Sequence, residues 1–357
     1  TAILAEQTAN LLGKWLKTLG IEYAMLAGAA SAGEKKRVIE GLSSGKIRFV
    51  IGTHALLQPT VKFKSLGMIV IDEQHRFGVE QRRTLLDKDP AADFLIMSAT
   101  PIPQTLVQTI YGELDLVEIR CGPAGRIPVS THCVPDQKRH DMEKFVLQRV
   151  DQKEKVFYIV PRIDSNEDEE EQDNFFDVEY VYKKLSSGVF SNVPIGYIHG
   201  KMSDSEKKEV MERFAWADLS VLVATSIVEV GIDVPLATVI VIENADWFGL
   251  AQLHQLRGRV GRGNKKSWCF LLSGTLPDSE AYLRLQQFCK NHDGFSIAEL
   301  DLKLRGPGQV MGTQQSGWGD VVMDAIVDNP LQFKEIQNYI ENLQTSSVEL
   351  GTWHEKN

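Results

Sequence analysis

An α/β fold with two parallel-sheet units and a helical tail is predicted by three observations on this chain of 357 residues. Strand-like apolar runs alternate with helix-patterned stretches as far as residue 275, which is the pattern of parallel layers. Breakers cluster at Gly122-Pro123-Ala124-Gly125-Arg126-Ile127-Pro128 and divide that alternation in two. From about Pro277 the pattern turns helical, interrupted at Arg305-Gly306-Pro307-Gly308, which cannot continue a helix. The expected parts are therefore 1–122, 126–275 and 276–357.

The elements follow in order. Residues 5–19 and 31–42 read as helices, the second leading into a strand at Phe49-Val50-Ile51. Met68-Ile69-Val70-Ile71 and Phe94-Leu95-Ile96-Met97 read as buried strands, because parallel sheets covered on both faces carry near-continuous apolar runs. The second set is Val156-Phe157-Tyr158-Ile159-Val160, Ile195-Gly196-Tyr197-Ile198, Val221-Leu222-Val223-Ala224, Val239-Ile240-Val241-Ile242 and the run 268–272. Ser203-Asp204-Ser205-Glu206 has capping-box spacing and opens a helix to about Phe214. The acidic run 164–173 reads as a solvated loop without metal geometry.

Composition narrows the function classes. With 43% hydrophobic and 24% charged residues the chain can bury sizeable cores. No apolar run is long enough to span a membrane. Thr1-Ala2-Ile3-Leu4 has no basic n-region, so it is no signal peptide and reads as a cut inside a domain. Four cysteines (Cys121, Cys133, Cys269, Cys289) without C-x-x-C spacing point to a reducing, cytoplasmic compartment. The net charge of −9 argues against a sequence-independent polycation but leaves room for a basic groove on an acidic body.

The chemistry concentrates at strand ends. Asp72-Glu73-Gln74-His75 follows an apolar strand, which delivers its acids to the carboxyl edge where α/β sheets bind ligands. In nucleotide-driven motors an Asp there orients Mg²⁺ and a Glu polarises the attacking water. A capped strand end before a surface turn is the competing reading. The phosphate-holding G-x-x-x-x-G-K-[ST] loop that such a site needs is not found: at Gly45-Lys46 the first glycine's place holds Glu40, Ile47 stands for Ser/Thr, and a strand rather than a helix follows. Ser98-Ala99-Thr100 closes the next strand and could sense nucleotide, or simply form a turn before Pro101. Gly52-Thr53-His54-Ala55-Leu56-Leu57-Gln58 could offer amides and a hydroxyl to a nucleic-acid phosphate, or be an ordinary strand-to-helix turn. Thr225 and Ser226 precede Gly231 and Asp233, with a plain helix cap as the alternative. In Gln255-Leu256-Arg257-Gly258-Arg259-Val260-Gly261-Arg262, arginines 259 and 262 sit between glycines with little packing use, which favours bidentate contact with a transferring phosphoryl group over a basic surface turn.

Taken in this order across positions 1 to 263, these pieces resemble a superfamily-two helicase. Residues 1–7 look like the end of motif Ia, 52–58 like motif Ib, 72–75 like motif II, 98–100 like motif III, 157–162 like motif IV, 225–233 like motif V and 255–262 like motif VI. Within that group, Asp72-Glu73-Gln74-His75-Arg76-Phe77-Gly78-Val79 and Leu304-Arg305-Gly306-Pro307-Gly308, followed by Met311-Gly312-Thr313-Gln314-Gln315-Ser316-Gly317, resemble the RecG family of fork-remodelling DNA helicases. The related transcription-repair translocases usually carry Glu-Gln where Gln74-His75 stand, and Ala where Pro307 stands. Gln309-Val310-Met311 and Gln314 depart from the family's usual residues, which bears on the contacts of that loop.

The resemblance implies two RecA-like domains, the first truncated at its N-terminus and without a wedge domain or phosphate loop, then a helical translocation hairpin. It implies ATP and Mg²⁺ as cofactors, with Asp72 holding Mg²⁺ through water, Glu73 as general base, and Arg259 and Arg262 stabilising the γ-phosphate. Gln255, Asp233, Gly231, Ser98 and Thr100 would contact nucleotide. Gly52, Thr53, His54, Gln58 and Thr225 would contact DNA, and Arg305 and Gln315 would couple the hairpin to DNA or to the second domain. The implied partners are branched duplex DNA (forks and Holliday junctions) and single-stranded-DNA-binding protein, for a bacterial, cytoplasmic monomer acting in recombination and repair. The chain alone would not hydrolyse ATP. A transcription-repair translocase and a non-catalytic nucleic-acid-binding module are the alternatives.

Overall fold

The computed structural model describes residues 2–28, 30–73, 81, 84–85, 87–98, 115, 117–120, 125–161, 178–225 and 234–305. The breakers 122–124 and the acidic run 164–173 lie outside them. The chain divides into two compact units, one of residues 1–99, 123–248 and 252–290, the other of 100–122, 249–251 and 291–357.

The larger unit begins with α1 (Ala2–Thr18), β1 (Tyr23–Leu26), α2 (Ala32–Ser44) and β2 (Phe49–Gly52). Glu34 at the third helical position of α2 closes a capping box with Ser31: its carboxylate accepts from Ser31 N at 2.9 Å, and Glu34 N donates back to the Ser31 hydroxyl. The Ser31 hydroxyl, donating to the same carboxylate at 2.7 Å, and the Ser31 N–H hold the Glu34 carboxyl below its ordinary value. Gly45 caps the other end of α2, so Lys46 does lead into a strand, as its sequence position suggests. β1, only four residues long, was not among the predicted strands. It forms because Tyr23 to Leu26 pair in parallel with Phe49 to Gly52.

β3 (Met68–Ile71) and β4 (Asp93–Ile96) form a second two-stranded parallel sheet. Here the expectation of fully buried strands needs correction. Ile69 and Ile71 are buried, but Met68 and Val70 are 54% and 51% exposed, and Leu95 and Met97 share their face and their exposure. Side chains alternate across a pleated strand, and the described residues cover only one face of this pair.

The core of the larger unit is an all-parallel six-stranded sheet of β5 (Ser130–Val134), β6 (Lys155–Ile159), β7 (Ile195–Ile198), β8 (Val221–Ala224), β9 (Ala237–Ile242) and β10 (Trp268–Leu272), in the order β5-β10-β9-β6-β8-β7. The predicted strands of this set are all present, with bounds that differ by a residue or two. β5 escaped prediction because Ser-Thr-His-Cys-Val has no apolar run. As an edge strand paired only with β10, it needs none.

Every residue of β6, β8 and β9 is buried. One face carries Val156, Tyr158, Val221, Val223, Val239 and Val241 against α3 (Arg139–Asp151) and α4 (Val178–Ser187), through Met142, Val146, Val181 and Leu185. The other carries Phe157, whose ring lies 4.9 Å from Phe214 of α5 (Asp204–Trp216). α5 starts at the predicted capping box: Ser203 N donates to Glu206 at 2.7 Å, and Glu206 N to the Ser203 hydroxyl at 3.3 Å. Each large apolar side chain so covered contributes about 1.5–3 kcal/mol.

Lys155 is buried in this sheet yet satisfied. Its ammonium donates to the carbonyls of Ala217 and Leu219, at 3.2 and 2.9 Å, where α5 ends, and burial holds its pKa down. After β9 come α6 (Leu250–Arg257) and, after β10, α7 (Glu280–Lys290), which packs on β5. The smaller unit contains α8 (Gly294–Arg305), opened by Asp293, whose carboxylate accepts from Ser296 N at 3.0 Å and its hydroxyl at 2.8 Å. In that unit the Arg120 guanidinium lies 4.9 Å over the Phe295 ring.

Because Phe157 is 1% exposed and packs directly on Phe214, Phe157→Ala should lower stability by about 3–5 kcal/mol. Equilibrium unfolding in denaturant would measure it.

Candidate functional site

Parallel strands of one sheet place their carboxyl ends at one edge, and four of the motifs singled out in the sequence start at such an edge, each at that of the sheet its strand belongs to. Gly52 ends β2, and a Cβ on it would lie 2.4 Å from the Leu26 carbonyl oxygen, so only glycine fits the pairing. Thr53 N then donates to that same carbonyl at 3.2 Å, while the Thr53 hydroxyl makes no capping bond to the short 3₁₀ turn His54–Leu57. His54 and Gln58 are exposed. The turn is braced from below by Lys88, whose ammonium donates to the Gln58 and Val61 carbonyls at 3.0 and 2.9 Å. Burial lowers the Lys88 pKa.

At the adjoining ends of β3 and β4 the structure brings the acidic motif and Ser98 together. Met97 N donates to the Ile71 carbonyl at 2.8 Å, so the ladder runs to the last residue before Asp72 on one strand and Ser98 on the other. Asp72 and Ser98 are exposed and Glu73 is half-buried. Glu73 has φ 55, a left-handed backbone that a non-glycine residue adopts at a cost of about 1–3 kcal/mol. Its own N–H donates to Asp72 Oδ1 at 2.9 Å, which fixes one carboxylate oxygen of Asp72 across the bend. Two carboxylates in successive positions thus leave the strand in different directions. Gln74, His75 and Thr100 lie outside the described residues.

In the six-stranded sheet, Thr225 follows β8 and is 7% exposed, a buried position rather than an open one. Gly231 and Asp233 lie outside the described residues. On the far side of β6 from this strand, Glu243 after β9 receives two parallel hydrogen bonds from Arg139 at 2.8 and 3.0 Å and one from the Tyr158 hydroxyl at 2.5 Å. Burial, with the Glu243 charge beside it, raises the Tyr158 pKa well above the ordinary phenol. Nothing in the sequence pointed to this trio, because its members are 104 and 85 residues apart.

The two arginines expected to have little packing use differ in burial. Arg259 is 9% exposed, while Arg262 is exposed and its Nε donates to the Gly258 carbonyl at 3.3 Å. The chain folds back tightly after α6: Gly258 N bonds His254 O, Arg259 N bonds Leu256 O and Val260 N bonds Arg257 O. Gly261 closes the turn with φ 73, where a Cβ would also sit 2.9 Å from Val129 Cγ2. Arg257, which sequence reasoning passed over, anchors the turn. It is 4% exposed, stacks 4.4 Å over the Phe288 ring and lies 3.0 Å from His254 Nδ1, with its pKa lowered by burial. A helix-end arginine three residues from a histidine was the available signal. Gln255 is half-buried on α6, Arg305 is the last residue of α8, and Gln315 lies outside the described residues.

Among the described residues, no three His, Cys, Asp or Glu side chains form a metal cluster, and no helix is long and apolar enough to cross a membrane. One or two exposed carboxylates beside a polyphosphate are what Mg²⁺ uses, since it keeps several waters and takes few protein ligands. Asp72 with Glu73 fits that donor set.

Sequence profiles of three families match the chain. The DEAD/DEAH box helicase profile matches residues 1–109, the helicase conserved C-terminal domain residues 137–264, and domain 3, C-terminal, of ATP-dependent DNA helicase RecG residues 291–339. The chain is 46% identical to the ATP-dependent DNA helicase RecG of Thermotoga maritima over 89% of its own length and 40% of the relative's. It is 42% identical to that of Synechocystis over 92% of its own length and 39% of the relative's. A solved structure of RecG bound to a three-way DNA junction superposes with a TM-score of 0.70 and 43% identity, over 92% of this chain and 42% of that one. The chain thus spans about two fifths of the length of these relatives. With the three profiles falling in order along it and identity above 40% to these relatives across most of its length, the chain belongs to the RecG family.

Proposed function

We propose that this chain is the motor portion of an ATP-dependent double-stranded-DNA helicase that remodels branched DNA, including stalled forks and Holliday junctions. The observation that carries the reading is the 43% identity, over 92% of the chain, to a RecG solved on a three-way DNA junction. The RecG-specific match over 291–339 weighs against the transcription-repair translocase and against a purely binding module. On this reading residues 1–122 and 126–275 are the two RecA-like domains and 276–357 carry the translocation hairpin.

Asp72, at the mouth of the β3–β4 edge, would hold Mg²⁺ through water. The bound ion neutralises developing phosphate charge. Glu73, turned off the strand by its left-handed backbone, would accept the proton of the attacking water. Ser98 at the adjoining strand end and Thr100 two residues on in sequence, with Gln255, Gly231 and Asp233 from the second domain, would contact nucleotide. Arg259 and Arg262 would stabilise the γ-phosphate, Arg262 directly from its exposed position and Arg259 after the tight turn opens. Gly52, Thr53, His54 and Gln58 would take one DNA backbone through amides and polar side chains. Thr225 would do so only with a shift that uncovers it. Arg305 and Gln315 would link the hairpin to DNA. The protein would act in the bacterial cytoplasm as a monomer, with single-stranded-DNA-binding protein as a partner.

The direct test is ATP turnover on forked DNA by a longer protein that joins this chain to a phosphate-holding loop. Glu73→Gln should abolish turnover and leave fork binding intact, while retained turnover would remove Glu73 from the role of base. Arg262→Ala should slow hydrolysis by about 10³-fold or more, the usual scale for such arginines. The chain by itself should show no DNA-stimulated turnover, and measurable turnover would contradict the fragment reading. Gly261→Ala should destabilise the second domain by about 1–2 kcal/mol, seen as a lowered midpoint in thermal unfolding, because its φ 73 suits only glycine there.

A further inference from the structure

Cys133 on β5 and Cys289 on α7 are 156 residues apart in sequence, yet their sulfurs lie 3.3 Å from each other. Both are half-buried rather than sealed, whereas Cys269 is fully enclosed. Cys133 also lines an open cavity of about 400 Å³, beside Met142, Phe145 and Phe270, and Cys289 keeps its own partial exposure. Phe288, one residue before Cys289, is the ring on which the Arg257 guanidinium rests. We infer that Cys133 and Cys289 form a redox-sensitive dithiol, oxidised by hydroperoxides to an intramolecular disulfide that ties α7 to edge strand β5 behind the arginine turn.

The two sulfurs differ in the way the chemistry requires. The hydrogen bond between them, and Arg257 nearby, lower the Cys289 pKa, while that bond and burial raise Cys133. Cys289 is therefore the nucleophile, because the thiolate is the reactive form. Its sulfur attacks one peroxide oxygen, the O–O bond breaks, and the products are Cys289 sulfenic acid and water or an alcohol. Cys133 then attacks that sulfenic sulfur, the S–O bond breaks, and water leaves with the Cys133 proton. Over both steps two thiols lose two electrons and two hydrogens, and one peroxide gains them. A contact already at 3.3 Å makes the second step intramolecular and fast relative to further oxidation of Cys289. In a reducing compartment such pairs are transient and regulatory rather than structural.

The test is thiol mapping on the whole chain. The protein is treated with hydrogen peroxide or kept in dithiothreitol, quenched in acid, unfolded with N-ethylmaleimide and digested without reduction. Peroxide should leave two of the four thiols unlabelled and yield one linked peptide pair, Cys133 with Cys289, lighter by two hydrogens and released by dithiothreitol. Cys289→Ser should abolish the link, and so should Cys133→Ser, which should in addition leave Cys289 stopped at sulfenic or sulfinic acid. The inference fails if both thiols stay labelled after peroxide, if either pairs instead with Cys121 or Cys269, or if Cys289 runs to sulfinic acid in the unmutated chain without any link. The mapping on unmutated protein decides the matter even where a serine variant does not fold.

Discussion

Parallel pairing is the constraint on which the rest of this molecule depends. A strand that runs parallel to its neighbour must return through a crossover, and so it ends at the same edge as every other strand of its sheet. Polar residues placed just after apolar runs are therefore gathered at one edge without any need to be close in sequence. Asp72 and Ser98 meet because Ile71 and Ile96 pair, and Thr225 and Glu243 end strands that flank β6 on either side. The chemistry is assembled by register. A slip of one residue would turn each of these groups to the opposite face.

What keeps the edge in register is polar, because the apolar core is indifferent to the loops above it. The Arg139–Glu243–Tyr158 trio fixes the chain after β9 to the chain after β5, across the intervening β10. Arg257 does the same for the arginine turn through Phe288 and His254. In both cases an arginine is immobilised by a planar partner, a carboxylate in one and a ring in the other, which suits its rigid fork better than it would a lysine. The two nearby arginines divide the remaining work: Arg259 is folded inward by the turn and Arg262 is left outside.

Much of this was legible in advance. The strands with continuous apolar runs, the helix opened by Ser203 and the family resemblance all followed from local pattern, because burial on both faces leaves a run that needs no context to read. β1 and β5 were illegible for the matching reason. β1 is only four residues long and β5 is largely polar, and each is held by the partner strand beside it. The exposed face of β3 was misread because an apolar run says that a side chain prefers cover, not that cover is at hand. At the site, residue types and order pointed to Asp72, Glu73 and the arginines. The left-handed backbone at Glu73, the burial of Arg259 and Thr225, and the role of Arg257 depend on tertiary packing that no spacing encodes.

The cysteines carry the same lesson to its limit. In the sequence they show no pairing signal, and the absence of C-x-x-C spacing pointed to a reducing compartment. Yet α7 packs against β5, the edge strand of the sheet. A cysteine on each then comes within 3.3 Å of the other as a consequence of topology alone. Their unequal acidity has a further source in Arg257, whose charge is kept near Cys289 because the same helix supplies the ring it stacks on. The anchor of the arginine turn and the bias of the thiol pair therefore rest on one side chain, so a change that frees Arg257 from Phe288 would loosen the turn and remove the charge that favours the Cys289 thiolate.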